Sequence, residues 1–190
     1  YVLVNWLLVQ HIVERVTGMD YPDARQRYVF SPAGMSQSGG YINDLRSTDP
    51  YVADVAIGFD RNDPAGRGDY RSPQWFKGSY TTARDMQRLE RALDDGQVLS
   101  AEALAEFRTI QVPASRYAFG GRFSSWEVCG QHYVVSTQAG SNGASTMISA
   151  YIPGHRLGAA MTSNISTSQG QMFELAHSLF EIELGCGADD

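Results

Sequence analysis

A serine that attacks a carbonyl needs a base within reach, and this chain of 190 residues offers few. Lys77 is its one lysine, beside fourteen arginines whose guanidinium groups stay protonated and cannot act as bases. The arrangement Ser-x-x-Lys would put hydroxyl and amine on one helix face, because residues three apart are neighbours there. It does not occur: the residue three before Lys77 is Gln74. A Gly-x-Ser-x-Gly elbow and Gly-rich phosphate loops are also missing from the sequence. The histidines, His11, His132, His155 and His177, have no metal-binding spacing and read as structural or solvent-facing. Cys129 and Cys186 are too few and too far apart for a structural zinc site. Free thiols are the plainer reading, and the sequence leaves a disulfide open. We expect neither a metal nor a cofactor.

Two further clusters could touch a ligand. Trp75, Phe76 and Tyr80 could stack on one, although such a group more often covers a core edge. The run Gln138-Ala139-Gly140-Ser141-Asn142-Gly143 lies between two strand-like stretches and by itself reads as a polar turn. Arg67-Gly68-Asp69 and the sequon Asn164-Ile165-Ser166 are short enough to arise by chance.

The elements that must position these groups follow from periodicity. Leu3, Trp6, Leu7, Val9, Ile12, Val13 and Val16 recur at helical spacing, which predicts a helix over 1–17 stopped by Gly18. Asp20 as N-cap and Pro22 in the first turn predict a short helix to about Phe30. Residues 31–77 have no period and are held as a long irregular region. Thr82 followed by Asp85 resembles a capping box opening a helix that Gly96 ends. Ser100 caps another helix through Phe107.

From Tyr117 the pattern turns to strands: Tyr117–Phe123, Trp126–Val128, Tyr133–Ser136, and a hairpin of Thr146–Ile152 and Leu157–Thr162. A helix from about Ser168 to Leu184 closes the sequence, with Gly185 as its stop. The expectation is an α+β fold, an antiparallel sheet flanked by helices, in one domain over 1–190. A hydrophobic share of 43% is enough for a core at this length. A net charge of −6 argues against nucleic acid as the main partner. The longest apolar run, Val2 to Val9, is too short to span a bilayer.

Read in order, several stretches resemble the beta-lactamase-like serine hydrolases, which include class C beta-lactamases, DD-peptidases and related esterases. Tyr1 to Leu8 followed by Ile12-Val13-Glu14-Arg15-Val16-Thr17-Gly18 is similar to that family's Tyr-Ser-Asn, apolar helix and Glu-x-Val-Thr-Gly. Val29 to Met35 resembles its Phe-x-Pro-Leu-Gly-Met, and Gly78 to Met86 its Ser-Thr-Ala-x-Asp-Leu helix start. Gln138 to Asn142 falls where members carry His/Lys-Thr/Ser-Gly, and Leu157 to Asn164 resembles the strand ending in Thr-Asn.

The resemblance implies a beta-lactamase/transpeptidase-like fold and acyl transfer on a small-molecule or peptide substrate. It also implies a periplasmic or secreted location. Tyr1 would be the catalytic tyrosine, and Leu3, Gln138, Ala139, Gly140, Ser141 and Asn142 would fall at substrate-binding positions. It implies that Ser-x-x-Lys lies upstream of Tyr1, so that an N-terminal part is missing and the chain needs that segment or a partner.

Departures from the pattern cut against activity. Leu3 replaces an asparagine and can make no side-chain hydrogen bond. Gln138 replaces the cation and Ala139 the hydroxyl. One lost key donor typically costs about 3 kcal/mol of transition-state stabilisation. The chain as it stands is therefore expected to be inactive. The alternatives are a degenerate relative serving as a binding or assembly module, and an unrelated α+β binding domain.

Overall fold

The computed structural model describes residues 3–41, 56, 58–59, 78–141 and 145–186. Its centre is an antiparallel sheet of six strands in sequence order: β3 (Ile110–Val112), β4 (Tyr117–Ala118), β5 (Gly121–Val128), β6 (Gln131–Ser141), β7 (Thr146–Ile152) and β8 (Leu157–Ser163). A separate pair joins β1 (Gly39–Tyr41) to β2 (Gly78–Tyr80). The helices are α1 (Leu3–Thr17), α2 (Tyr21–Arg25), α3 (Ala83–Asp94), α4 (Ala101–Arg108) and α5 (Gln169–Glu183). The α+β expectation is met. None of the described helices is long and apolar enough to cross a membrane.

β7 organises the two faces of the sheet. Ile148, Ala150 and Ile152 point to α5 and pack with Val128, Val135, Met172, Ala176 and Phe180 in the main core. Trp126 joins that core from the half-buried rim, 5.8 Å from the Phe180 ring centre and 6.1 Å from Phe173. Alternation turns Met147, Ser149 and Tyr151 to the other face. α3 covers part of that face: the Tyr151 hydroxyl reaches Asp94, and the Gln87 side chain lies over Gly158.

Several helix ends follow the sequence signals. Ser100 Oγ accepts from Ala103 N at 3.2 Å, and Ser168 Oγ from Gln171 N at 3.4 Å. The capping box at α3 is half made. Thr82 Oγ1 accepts from Asp85 N, but the Asp85 carboxylate turns away to Gln37 N at 2.7 Å, Ser38 Oγ at 2.8 Å and Arg88. A fully buried carboxylate takes the partners that satisfy it best, and here two of the three, Gln37 and Ser38, lie outside the helix. Asp20 occupies the N-cap of α2 without a side-chain capping bond. The helix continues as one π-helical turn over Gln26–Phe30.

Four expectations need correction. The region 31–77 is not wholly irregular, since Gly39–Tyr41 forms β1, and Phe59 bridges to Ile165 through Phe59 N→Asn164 O at 2.8 Å. The short strands at 117–128 are β4 and β5, joined through the turn at Phe119-Gly120. Ile110–Val112, unmarked by any alternation, is also a strand. Cys129 and Cys186 are not free: a disulfide with Cα atoms 5.4 Å apart ties the β5–β6 turn to the end of α5. Finally, much of the apolar stripe of α1 is exposed, with Leu7 and Val13 half-buried. Ile12 is 61% and Val16 79% exposed, while Gln10 is buried.

Candidate functional site at the end of the sixth strand

Gln138 to Ser141 do not form a turn. They are the last residues of β6, hydrogen-bonded in register to β7 from Gln138↔Ser149 to Ser141↔Thr146. The polar and glycine composition that suggested a loop sits in a strand because both neighbouring strands satisfy its backbone. Pleating then splits the predicted site residues. Gln138 and Gly140 share the α3 face with Ser149 and Met147. Ala139 stands across from the core residue Ile148 on the α5 face. Ser141 lies on that same face, 3.5 Å from Thr146 Oγ1, which also accepts from Thr167 N at 3.0 Å.

Of the other predicted residues, Tyr1 and Asn142 lie outside the described residues, as do Trp75, Phe76 and Lys77. The backbone of Leu3 opens α1, whose main packing is against α2. Tyr80 is in β2, where its ring lies against Gly39.

Gln138 is held in place. Its Nε2 donates to the carbonyl of Gly120 in the turn between β4 and β5. The amide lies over Gly121, where any Cβ would collide with it and where φ is +111°. Gly120 is in turn pressed against the Phe107 ring of α4, and Gly120 N donates to Phe107 O at 2.8 Å. Gly120 and Gly121 escaped the sequence reading, although a Gly-Gly pair between strand-like runs is a turn or close-approach signal.

The face widens beyond Gln138. Among the described residues, a Cβ on Gly140 would meet nothing within 4 Å, and Thr162, which pairs with Met147, is exposed. Ser149, directly across from Gln138 and next to Ala160, is fully buried, and its Oγ has no hydrogen-bond partner. The Gln87 amide, which lies over Gly158, likewise has both polar atoms buried and without a hydrogen-bond partner among the described residues. This face therefore offers neutral donors and acceptors.

A second polar cluster locks α3, α4 and the β7–β8 turn together. Asp94 receives Arg108, the Tyr151 hydroxyl at 2.9 Å and Gly154 N at 2.9 Å. Burial alone would raise its pKa, but the Gly154 amide, Arg108 and Tyr151 together lower it. One turn earlier, Glu90 is 6% exposed, and burial pushes its carboxyl up to about 7. Arg108 opposes that rise and Asp94 adds to it. Burial, with the bond to Asp94 second, drives the Tyr151 hydroxyl upward. This cluster is closed by packing and acts as a clasp.

On the α5 face, a shallow groove of about 530 Å³ is lined by Trp126, Gly170, Phe173, Glu174, His177 and Ser178. His177 Nε2 lies 2.7 Å from Glu127 O. The groove lies on the sheet face opposite to Gln138. No group of His, Cys, Asp and Glu among the described residues could hold a metal.

Comparison with known proteins bears on this arrangement. The fold resembles a penicillin-binding protein from Bacillus halodurans with a TM-score of 0.72 at 22% identity, covering 91% of this chain and 54% of that one. A beta-lactamase from Sulfitobacter sp. EE-36 gives 0.71 at 20%, covering 97% and 59%. A D-amino acid amidase from Ochrobactrum anthropi SV3, complexed with L-phenylalanine amide, gives 0.65 at 19%, covering 94% and 55%. The chain thus spans about half the length of these structures. No curated protein sequence matches it. The family model described as Beta-lactamase matches residues 1–183, nearly the whole chain, and with the six-stranded sheet and its helices this shows that the chain belongs to the beta-lactamase family.

Proposed function

We propose that this chain is the C-terminal portion of a serine hydrolase whose Ser-x-x-Lys lies upstream of Tyr1, and that it is inactive alone. In the complete protein the serine Oγ bonds to the acyl carbon while the C–N or C–O bond to the leaving group breaks. Lysine and Tyr1 carry the serine's proton to the departing amine or alcohol. Water then releases the acid and frees the serine. The observation that carries this reading is the half-covered α3 face of the sheet. Among the described residues nothing lies within 4 Å of a Cβ on Gly140 and Thr162 is exposed, which is the side this reading assigns to a substrate and a nucleophile-bearing helix.

The same reading accounts for the uncovered apolar surface. Val4, Leu8, Ile12 and Val16 on α1 and Leu175, Leu179 and Ile182 on α5 are exposed. β8, an edge strand of Leu-Gly-Ala-Ala-Met-Thr-Ser, has none of the charges or prolines that guard free edges. The upstream segment, or a partner chain, would cover them. The Cys129–Cys186 disulfide supports a periplasmic or secreted location, since such bonds persist in oxidising compartments.

Acylation of the full-length protein by a fluorescent penicillin or a p-nitrophenyl ester tests the proposal. One equivalent of covalent label on an upstream serine is the expected result. A specific observation favours a second reading, that of a degenerate relative serving as a binding module: the Gln138 amide is spent on Gly120. No label from either reagent, with the protein folded, selects that reading.

A further inference from the structure

The two cysteines stand at demanding turn positions. β5 and β6 close on the pair Val128↔Gln131, so Cys129-Gly130 is a two-residue hairpin loop. Its φ values of +52° and +70° are those of a type I′ turn. Asn-Gly fills such a turn readily, whereas a cysteine there is strained in the left-handed region. Opening the bond lets the turn relax, which favours reduction. Cys186 follows the cap of α5. Gly185, at φ +79°, donates its N–H to Ile182 O at 3.2 Å, and Cys186 N donates to Glu181 O at 2.8 Å.

The two sulfurs differ in access. Among the described residues Cys129 is exposed, while Cys186 is half-buried and packs against the main core. The open sheet edge, β8, is separated from β5 by β6 and β7. Exposed disulfides are the labile ones, and attack falls on the sulfur a thiolate can reach.

α5 has other holds on the sheet. Met172, Ala176 and Phe180 sit in the main core. The Trp126 ring lies 5.7 Å from that of His177 and 5.8 Å from that of Phe180, and His177 Nε2 lies 2.7 Å from Glu127 O. These contacts keep the two cysteines facing each other once the bond is open.

We infer that the Cys129–Cys186 bond is a thiol-exchange site of the folded protein, opened at Cys129 Sγ by a dithiol reductant and closed again by an oxidised thiol. A thiolate of the reductant bonds to Cys129 Sγ while the bond to Cys186 Sγ breaks. Cys186 leaves as a thiolate and takes a proton from water. The second thiol of the reductant loses its proton and displaces Cys129, which takes that proton. Two electrons pass to the cysteine pair, and the reductant ends as a disulfide. The inference is independent of the acyl-transfer reading.

The test uses the full-length protein and dithiothreitol without denaturant, with iodoacetamide quenching and intact mass as the readout. Both cysteines should become alkylated, at a rate that stays constant as urea rises below the unfolding transition. Glutathione, a monothiol, marks the sulfur attacked. After acid quenching, peptide mapping should find its mixed disulfide at Cys129 in about 10-fold excess or more over Cys186. The reduced protein should keep its near-UV circular dichroism and re-form the bond when oxidised glutathione is added.

Any one of three results overturns the inference: a reduction rate that climbs with urea in step with unfolding, a mixed disulfide mainly at Cys186, or a reduced protein that has lost its near-UV signal. All three are read on the wild-type chain, so no variant needs to fold.

Discussion

Glu90 gives the sharpest quantitative prediction. It is 6% exposed on α3, one turn before Asp94, and burial holds its carboxyl at about 7 against an ordinary value of 4.5. Asp94 and Arg108 face it from α3 and α4, and Tyr151 from β7. Below about pH 4.5 the group is protonated in both the folded and the unfolded chain, and it contributes no pH dependence. Between 4.5 and 7 the unfolded chain has lost the proton and the folded chain keeps it. Stability therefore falls as pH rises, and levels off above 7.

At about 1.4 kcal/mol for each unit, the full span corresponds to roughly 3 kcal/mol. Glu90→Gln removes the titration while keeping the size of the side chain. Urea denaturation of the full-length protein and this variant at pH 5, 6.5 and 8 reads the difference. The variant should gain on the wild type by about 2 kcal/mol or more between pH 5 and 8. A difference that stays constant across that range would refute the claim that Glu90 is buried as an acid.

Four more outcomes follow from packing and from the disulfide. Phe180→Ala, at a side chain 1% exposed between Trp126 and the sheet, should cost about 3–5 kcal/mol in a denaturant melt. Gly121→Ala should destabilise by about 1–3 kcal/mol, because φ is +111° and the new methyl strikes the Gln138 amide. Gly140→Ala, with nothing within 4 Å among the described residues, should stay within about 0.5 kcal/mol in the same assay. Reducing Cys129–Cys186, which closes a loop of 57 residues, should lower stability by up to about 4 kcal/mol, read as a drop in Tm with dithiothreitol.

Much of the fold was legible because its signals are local. Ser100 as a cap marked α4, apolar helical spacing and Gly185 as a stop marked α5, and the two strand-like runs Thr146–Ile152 and Leu157–Thr162 marked the β7–β8 hairpin. What escaped depends on partners distant in the chain. β1 exists because Gly78–Tyr80 pairs with it, and glycine-rich Gly39-Gly40 carries no strand signal of its own. Asp85 looked like half of a capping box, but Gln37 and Ser38 claim its carboxylate. Gln138 to Ser141 read as a turn because their composition is turn-like, whereas pairing to β7 makes them strand. Their alternation onto two faces followed only once that pairing was known. The Gln138 latch needs Gly120, Gly121 and Phe107 together, and no spacing announces that three-way contact.

Intact-mass spectrometry after exposure to p-nitrophenyl acetate tests the central claim most directly. The full-length protein should gain one acetyl group, mapped to a serine upstream of Tyr1, while the 190-residue chain gains none. A single stoichiometric acetyl ester on a serine of the 190-residue chain by itself would contradict the account.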